Sequence, residues 1–335
     1  MIPYAIVGTS WISEEFYAAS LFADMVLCGI CSRSREKGRA FAKKLGRPDT
    51  PVYTSIEDLA AAAGIAAVYA ASPNSLHAPQ SETLLRAGKH VLCEKPITAN
   101  PGELEKLQAL AQTRGLVFME AIMYLHTPAR QTVKEALPAL GEITGAHFDF
   151  SQLSSKYDAL ARGEQPNVFS AAMQGGALND LGIYCVYPAL DFFGPPLDVQ
   201  AQTHLLPGVP GEPAGSLGWI GADSAGAALL RYPGFTLTLT WSKLGQSRGV
   251  SQIMGTKGTL AIRSVSQFQD VTFHPRAGEA RELAEPLQKH EVMQYEARAF
   301  CDYITGRPAA VPYGEANELA LSVAQAMEDI RRAWR

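Results

Sequence analysis

Tyr4-Ala-Ile-Val7-Gly8-Thr-Ser-Trp-Ile-Ser13 decides the fold of this chain. Four apolar residues read as a short buried strand, Gly8 supplies a tight turn, and a helix opens near Trp11. A strand, a glycine turn and a helix in that order begin an open parallel sheet. Working outward, the same alternation recurs. Further strands are predicted over Met25 to Cys31, Val52 to Tyr53, Ala66 to Ala71, His90 to Cys93 and Leu116 to Met119, with helices in the gaps. Ser55 and Asp58 have capping-box spacing, and Gly88 and Gly115 stand where helix C-caps belong. Regular β-α alternation implies βαβ units.

Beyond Thr127-Pro128 the alternation stops. One helix to about Leu140 is followed by strands from Ile143 to about Leu283, interrupted by a helix near residues 175–193. Two helices, at about 290–306 and 315–334, close the chain. Phe235-Thr-Leu-Thr-Leu-Thr-Trp241 alternates apolar and hydroxyl side chains, which marks an antiparallel strand with one buried face. The expected fold class is α/β: an N-terminal Rossmann parallel sheet over 1–121, then a C-terminal α+β domain over 122–335 with a large, mostly antiparallel, open-faced sheet. The Gly- and Pro-rich stretch 207–221 reads as a surface loop without an assigned function.

At 335 residues, two cores are expected rather than one. A net charge of -4 leaves no basic surface for nucleic acid, and no apolar run approaches the ~20 residues of a membrane span. With no secretory signal before the first strand, the expected location is the cytoplasm. Five scattered cysteines fit free thiols. Cys28 and Cys31 form a CxxC inside a strand, which argues against zinc or redox chemistry, and no metal site is expected.

Gly8, Thr9, Ser10, Trp11 and Ile12 form the candidate phosphate loop, with Ser10 and Ser13 in place of the second and third glycines of a dinucleotide fingerprint. A small Ser10 still permits close approach of a pyrophosphate to the helix N-terminus; an ordinary βα turn remains the alternative. After the second strand, where an acid usually holds the ribose 2′-hydroxyl, the chain reads Ser32-Arg33-Ser34-Arg35. Arg33 offers a planar fork for a 2′-phosphate. NADP is therefore expected, with NAD as the alternative cofactor, although Arg33 and Arg35 also suit a solvated helix start.

Glu94-Lys95-Pro96 puts a lysine at the carboxyl end of the fifth strand, the edge where open α/β sheets bind ligands. Asp180 and Tyr184 stand four residues apart in the helix opened by Gly175-Gly-Ala-Leu-Asn-Asp180. A surface lysine, a capping aspartate and a core tyrosine are the structural alternatives.

These motifs, with Ser72-Pro-Asn74-Ser-Leu-His77, Met119-Glu-Ala-Ile122 and Gly255-Thr-Lys-Gly-Thr259, resemble the Gfo/Idh/MocA oxidoreductases over the whole chain. Tyr184 stands where many members have histidine, a feature similar to the branch of dimeric dihydrodiol dehydrogenase and NADP-dependent D-xylose dehydrogenase. The resemblance implies hydride transfer between nicotinamide and a secondary hydroxyl or carbonyl of a small sugar, polyol or cyclic diol. Lys95, Asp180 and Tyr184 would be catalytic. A tyrosine of ordinary pKa ~10 can take the hydroxyl proton if an ammonium lowers that value, and Lys95 would be that ammonium. Ser72, Asn74, His77 and Glu94 join the glycine loop, Ser32, Arg33 and Lys95 as expected cofactor contacts; a capping role for His77 stays open. A homodimer or homotetramer through the C-terminal sheet is also implied. The rival readings are an NAD(P)-assisted glycoside hydrolase of the same fold and a non-catalytic NADP-binding regulator.

Overall fold

The computed structural model describes residues 1–206 and 222–334, so the loop expected over 207–221 lies outside the described residues. The chain divides into two compact units, one of Met1–His126 with Gln288–Glu318, the other of Thr127–Leu287 with Leu319–Arg335.

In the first unit, β1 (Ile2–Val7), β2 (Met25–Cys31), β3 (Val52–Tyr53), β4 (Ala67–Ala70), β5 (His90–Glu94) and β6 (Phe118–Ala121) form one parallel sheet, in the order β3-β2-β1-β4-β5-β6. Five helices connect them: α1 (Trp11–Ser20), α2 (Arg35–Lys44), α3 (Ile56–Ala61), α4 (His77–Arg86) and α5 (Pro101–Thr113). The central strands β1, β4 and β5 are apolar nearly throughout, as strands covered on both faces must be. The Ser55 hydroxyl caps α3 by accepting from the Asp58 amide at 3.1 Å, and Gly88 and Gly115 adopt positive φ just past α4 and α5. Cys28 is the extra residue of a bulge where β2 slips against β1, between the pairs Tyr4↔Leu27 and Ala5↔Gly29.

The second unit holds an eight-stranded sheet ordered β14-β13-β12-β11-β7-β10-β9-β8. Its strands are β7 (Ile143–Ser151), β8 (Asp198–Leu205), β9 (Asp223–Tyr232), β10 (Phe235–Ser242), β11 (Ser251–Gly255), β12 (Gly258–Ser264), β13 (Gln269–Pro275) and β14 (Arg281–Ala284). Every pairing is antiparallel except β7 with β10. Helices α6 (Pro128–Ala136), α7 (Tyr157–Ala161) and α8 (Ile183–Phe193) accompany it. Phe148, Leu230, Leu237, Leu239, Trp241, Ile253, Leu260 and Ile262 are fully buried, as is most of α8, so one sheet face builds the core. On α6, Arg130 donates two hydrogen bonds to Asp191 of α8, at 2.7 and 2.6 Å, and Lys134 adds a third at 2.9 Å.

Two helices follow, α9 (Lys289–Thr305) and α10 (Tyr313–Ala333). The expected domain cut at 121/122 gave the whole C-terminal part to the second domain, yet residues 288–318 cluster with the first unit. The reason is local packing. Helix α9 lies against α1, the Arg298 guanidinium donates to the Phe22 carbonyl at 3.0 Å, and the Tyr313 hydroxyl accepts from the Phe118 amide at 2.8 Å. No helix among the described residues is long and apolar enough to cross a membrane.

Candidate active site

Parallel register brings the candidate cofactor residues of the first unit to one sheet edge. Val7 pairs with both Cys31 and Ala70, and Ala70 pairs with Cys93, so β1, β2, β4 and β5 end side by side. The residues that follow those ends are Gly8, Ser32, Ser72 and Lys95. The strand order reverses between β1 and β4, the switch point at which such sheets bind ligands.

At that point the Gly8 backbone has φ +97°, and a Cβ there would come within 2.4 Å of the Ala71 carbonyl oxygen. Only glycine fits. Ser10 then occupies the N-cap of α1 without capping its backbone amides, its hydroxyl lying 3.4 Å from that of Ser13, and Trp11 is 60% exposed beside it. A glycine cradle followed by a helix N-terminus that no side chain caps suits a pyrophosphate, whose charge the helix amides would stabilise. Ser13, in the third fingerprint position, is fully buried, which explains why a small residue is required there. Arg33 is exposed just before Ser34, whose hydroxyl caps α2 by accepting from the Lys37 amide at 3.2 Å. With the cap occupied by Ser34, the Arg33 guanidinium is left outside the helix.

Glu94 is braced from behind. Its Oε1 accepts from the Tyr69 hydroxyl at 2.5 Å, its Oε2 accepts from the Lys95 amide at 3.3 Å, and the Tyr69 ring stacks on Phe16 of α1 at 3.7 Å. Burial pushes the Glu94 carboxyl up, with the Lys95 charge the chief opposing influence. The Lys95–Pro96 bond is cis, and the next residue, Ile97, donates its amide to Glu120 Oε1 at 2.7 Å. Glu120, from the Met119–Ile122 motif, thus holds the loop after Lys95.

His77 is enclosed between two loops. It is 1% exposed, with Nδ1 2.8 Å from the Pro96 carbonyl and Nε2 2.9 Å from the Ser72 carbonyl. Burial lowers its pKa, against those two carbonyls. With both nitrogens turned to main-chain oxygens, the ring ties the loop after β4 to the loop after β5. Ser72 and Asn74 lie half-buried at the end of β4, the Ser72 hydroxyl donating to Gln80 Oε1 at 2.7 Å.

Lys289, at the first position of α9, was missed by sequence reasoning. Its ammonium lies 4.9 Å from the centre of the Trp11 ring. Burial and then the like charge of Lys95 lower its pKa, against Glu94, Glu15 and Glu296. A cation opposing the positive end of a helix was the available signal.

In the second unit, Asp180 lies in a π-helical turn, Leu178–Gly182, that leads into α8, so Asp180 and Tyr184 are not spaced along one regular α-helix as expected. Single π-turns of this kind often mark functional sites. The turn is pinned by Asp223. Its Oδ2 accepts from the Leu178 amide at 2.7 Å and from the Trp241 indole at 3.0 Å. The Gly175-Gly176 pair then has a steric reason: a Cβ on Gly176, at φ +118°, would lie 2.2 Å from Asp223 Oδ1, and one on Gly175 2.5 Å from the Asn167 carbonyl oxygen. Tyr184 is 7% exposed and meets Phe150 edge-on at 5.5 Å. Asp180 is ion-paired with Lys243, a second residue that sequence reasoning missed.

Residues 2–122 match the oxidoreductase family with the NAD-binding Rossmann fold, and residues 130–261 match the GFO/IDH/MocA C-terminal domain. The chain belongs to the Gfo/Idh/MocA oxidoreductase family. It is 34% identical, over 99% of its length and 97% of the relative's, to the scyllo-inositol 2-dehydrogenase (NADP(+)) IolU of Bacillus subtilis (strain 168). The human trans-1,2-dihydrobenzene-1,2-diol dehydrogenase is 28% identical over 77% of this chain and 73% of that one. Among solved structures, KijD10, a 3-ketoreductase from Actinomadura kijaniata in complex with NADP and TDP-benzene, superposes with a TM-score of 0.81 at 25% identity, covering 99% of this chain and 97% of that one. The family assignment makes the chain an oxidoreductase.

Glu296 of α9 is buried, and its Oε2 has no hydrogen-bond partner among the described residues. Burial first and the charge of Glu94 second push its carboxyl well above the usual range, against Lys289. A carboxyl whose folded pKa exceeds its unfolded value of ~4.3 binds its proton more tightly in the fold, so wild-type stability falls as pH rises above that value. Glutamine copies the neutral acid and does not titrate. Glu296→Gln should match wild type near pH 4 and gain on it as pH rises, in thermal melts across a buffer series; a gap that does not widen with pH would contradict this.

Proposed function

We propose that this chain is an NADP-dependent dehydrogenase or reductase that moves a hydride between nicotinamide and a secondary hydroxyl or carbonyl of a small sugar, polyol or cyclic diol. The observation that carries the reading is the row of strand ends in the first unit: a glycine cradle after β1, a cation where an acid would hold a ribose after β2, and a lysine after β5. Whole-length similarity to a scyllo-inositol 2-dehydrogenase supports the substrate class. The first unit would then be the cofactor domain and the second the substrate and oligomerisation domain.

In this reading Gly8, Thr9, Ser10, Trp11 and Ile12 hold the pyrophosphate, and Ser32 with Arg33 receives the 2′-phosphate. Ser72, Asn74 and the Glu94–Lys95 turn flank the nicotinamide. The cofactor, when bound, supplies the hydride acceptor or donor. Everything else falls to side chains. Tyr184 exchanges the proton of the substrate hydroxyl, Lys95 stabilises charge on the oxygen, and Asp180 orients the hydroxyl. We assign the protein to the cytoplasm.

The sheet of the second unit also favours self-association. Alternation along β9 and β11 turns Leu229 and Met254, 45% and 37% exposed, away from the face that builds the core. Thr236, Thr238 and Thr240 line the same outward side of β10. A two-fold pairing would cover that surface, and closed symmetric oligomers are the common outcome. Light scattering at micromolar concentration should give a dimer or tetramer; a monomer mass would contradict it.

Arg33→Ala removes a charge-assisted contact worth ~1.5–3 kcal/mol, so the NADP dissociation constant should rise at least about tenfold. NAD binding should change little; equal losses for both cofactors would refute the 2′-phosphate role. Turnover is best sought with a panel of inositols, pentoses, hexoses and diols, followed through reduced-cofactor absorbance. Tyr184→Phe and Lys95→Met should each lower turnover by about 100-fold while NADP affinity holds, as expected when general acid-base catalysis is lost. If both serve one proton transfer, the double variant should lose less than the two singles combined. Near-wild-type turnover in Tyr184→Phe would reduce that tyrosine to a packing residue.

A further inference from the structure

Lys243 directly follows β10, and the alternation Leu237, Leu239, Trp241 carries on to it, so strand parity delivers a lysine to the buried side of the sheet. Its side chain is 4% exposed, and its ammonium donates to Asp180 Oδ2, whereas the Asp180 side chain is 38% exposed. The backbone is fixed on both sides: the Lys243 amide donates to the Ser224 carbonyl at 2.8 Å and its carbonyl accepts from the Ser154 amide at 2.9 Å. The Phe169 ring lies 5.7 Å from the ammonium. An ammonium so enclosed requires a counter-charge. A carboxylate gripped from behind keeps one direction.

We propose that Lys243 is a positioning residue for hydride transfer, acting through Asp180. It holds the Asp180 carboxylate in the orientation from which that group accepts a hydrogen bond from the substrate hydroxyl. The proposal rests on the assignment of Asp180 to the substrate. The Asp180–Lys243 pair carries no net charge, so it offers a directional acceptor without a negative field, which suits an uncharged polyol. The ion pair is also made by the π-turn: Asp223 sets where the turn begins, and Lys243 receives the aspartate that the turn projects.

The test uses the full-length protein with NADP and scyllo-inositol as probe. Lys243→Met should lower kcat/KM by about 100-fold, the scale of a lost orienting contact, with the NADP dissociation constant unchanged within about twofold. Lys243→Arg, which keeps the charge, should recover most of the loss. The reading that separates positioning from mere stability is the Asp180→Asn background: there, adding Lys243→Met should cost less than about threefold, because both changes disable one contact. Undiminished turnover in Lys243→Met, or the full loss repeated in the Asp180→Asn background, overturns the proposal. If Lys243→Met does not fold, Lys243→Gln takes its place, and near-wild-type turnover in that variant overturns the proposal equally. If Asp180→Asn itself keeps full turnover, or wild type turns over neither scyllo-inositol nor any other member of the panel, the underlying reading of the site fails, and Lys243 with it. Crippled Asp180→Asn beside active Lys243→Met fails Lys243 alone.

Discussion

A carboxylate taken out of water is costly unless donors meet it, and three of the enclosed acids in this protein meet amides of the loops that carry or adjoin candidate site residues. Asp223 takes the Leu178 amide and the Trp241 indole, Glu120 takes the Ile97 amide, and Glu94 takes the Lys95 amide with the Tyr69 hydroxyl. Each loop so held carries or adjoins a candidate site residue. A desolvated acid that loses its donor becomes costly, so the loop that supplies the donor is not free to drift. The buried acids therefore turn flexible connections into fixed ones.

Glycines complete this arrangement by letting backbone come close. Gly8 passes the Ala71 carbonyl, and Gly176 passes Asp223, at separations that no Cβ would tolerate. In the first case the approach leads into α1, whose first amides no side chain caps. In the second it starts the π-turn that carries Asp180. Packing and chemistry are thus the same constraint seen at two scales: the contact that closes the core also sets where the site residue begins.

Lysines divide along similar lines. Lys95 and Lys289 share the surroundings of Glu94, and the like charge of Lys95 lowers the pKa of Lys289. Lys243 is enclosed and tied to one carboxylate. Clustered ammonium groups suit an anionic ligand, whereas a paired ammonium suits the fixing of an orientation. The two units thereby differ: in the first, two ammonium groups share the surroundings of Glu94, and in the second one ammonium is paired with one carboxylate.

Much of this was legible in the residues themselves. Apolar runs, glycine punctuation and cap spacing located the six parallel strands, the sixth two residues early at Leu116 to Met119 against Phe118–Ala121, and period-two alternation located the Phe235 to Trp241 strand, because these signals are local and each residue reports its own backbone. Glu94-Lys95-Pro96 and Gly175-Gly176 were visible as motifs. Tertiary structure alone decided the rest. It moved residues 288–318 to the first unit, since helix docking depends on partners far away in sequence. It turned His77 inward, since two carbonyls from different loops converge on the ring only after folding. It replaced a regular helix at Asp180 by a π-turn, since the anchor at Asp223 lies 45 residues on from the Leu178 amide that it holds. Lys243 was missed in the sequence: strand parity beyond Trp241 was the available signal, but only the folded chain could say that its counter-charge is Asp180.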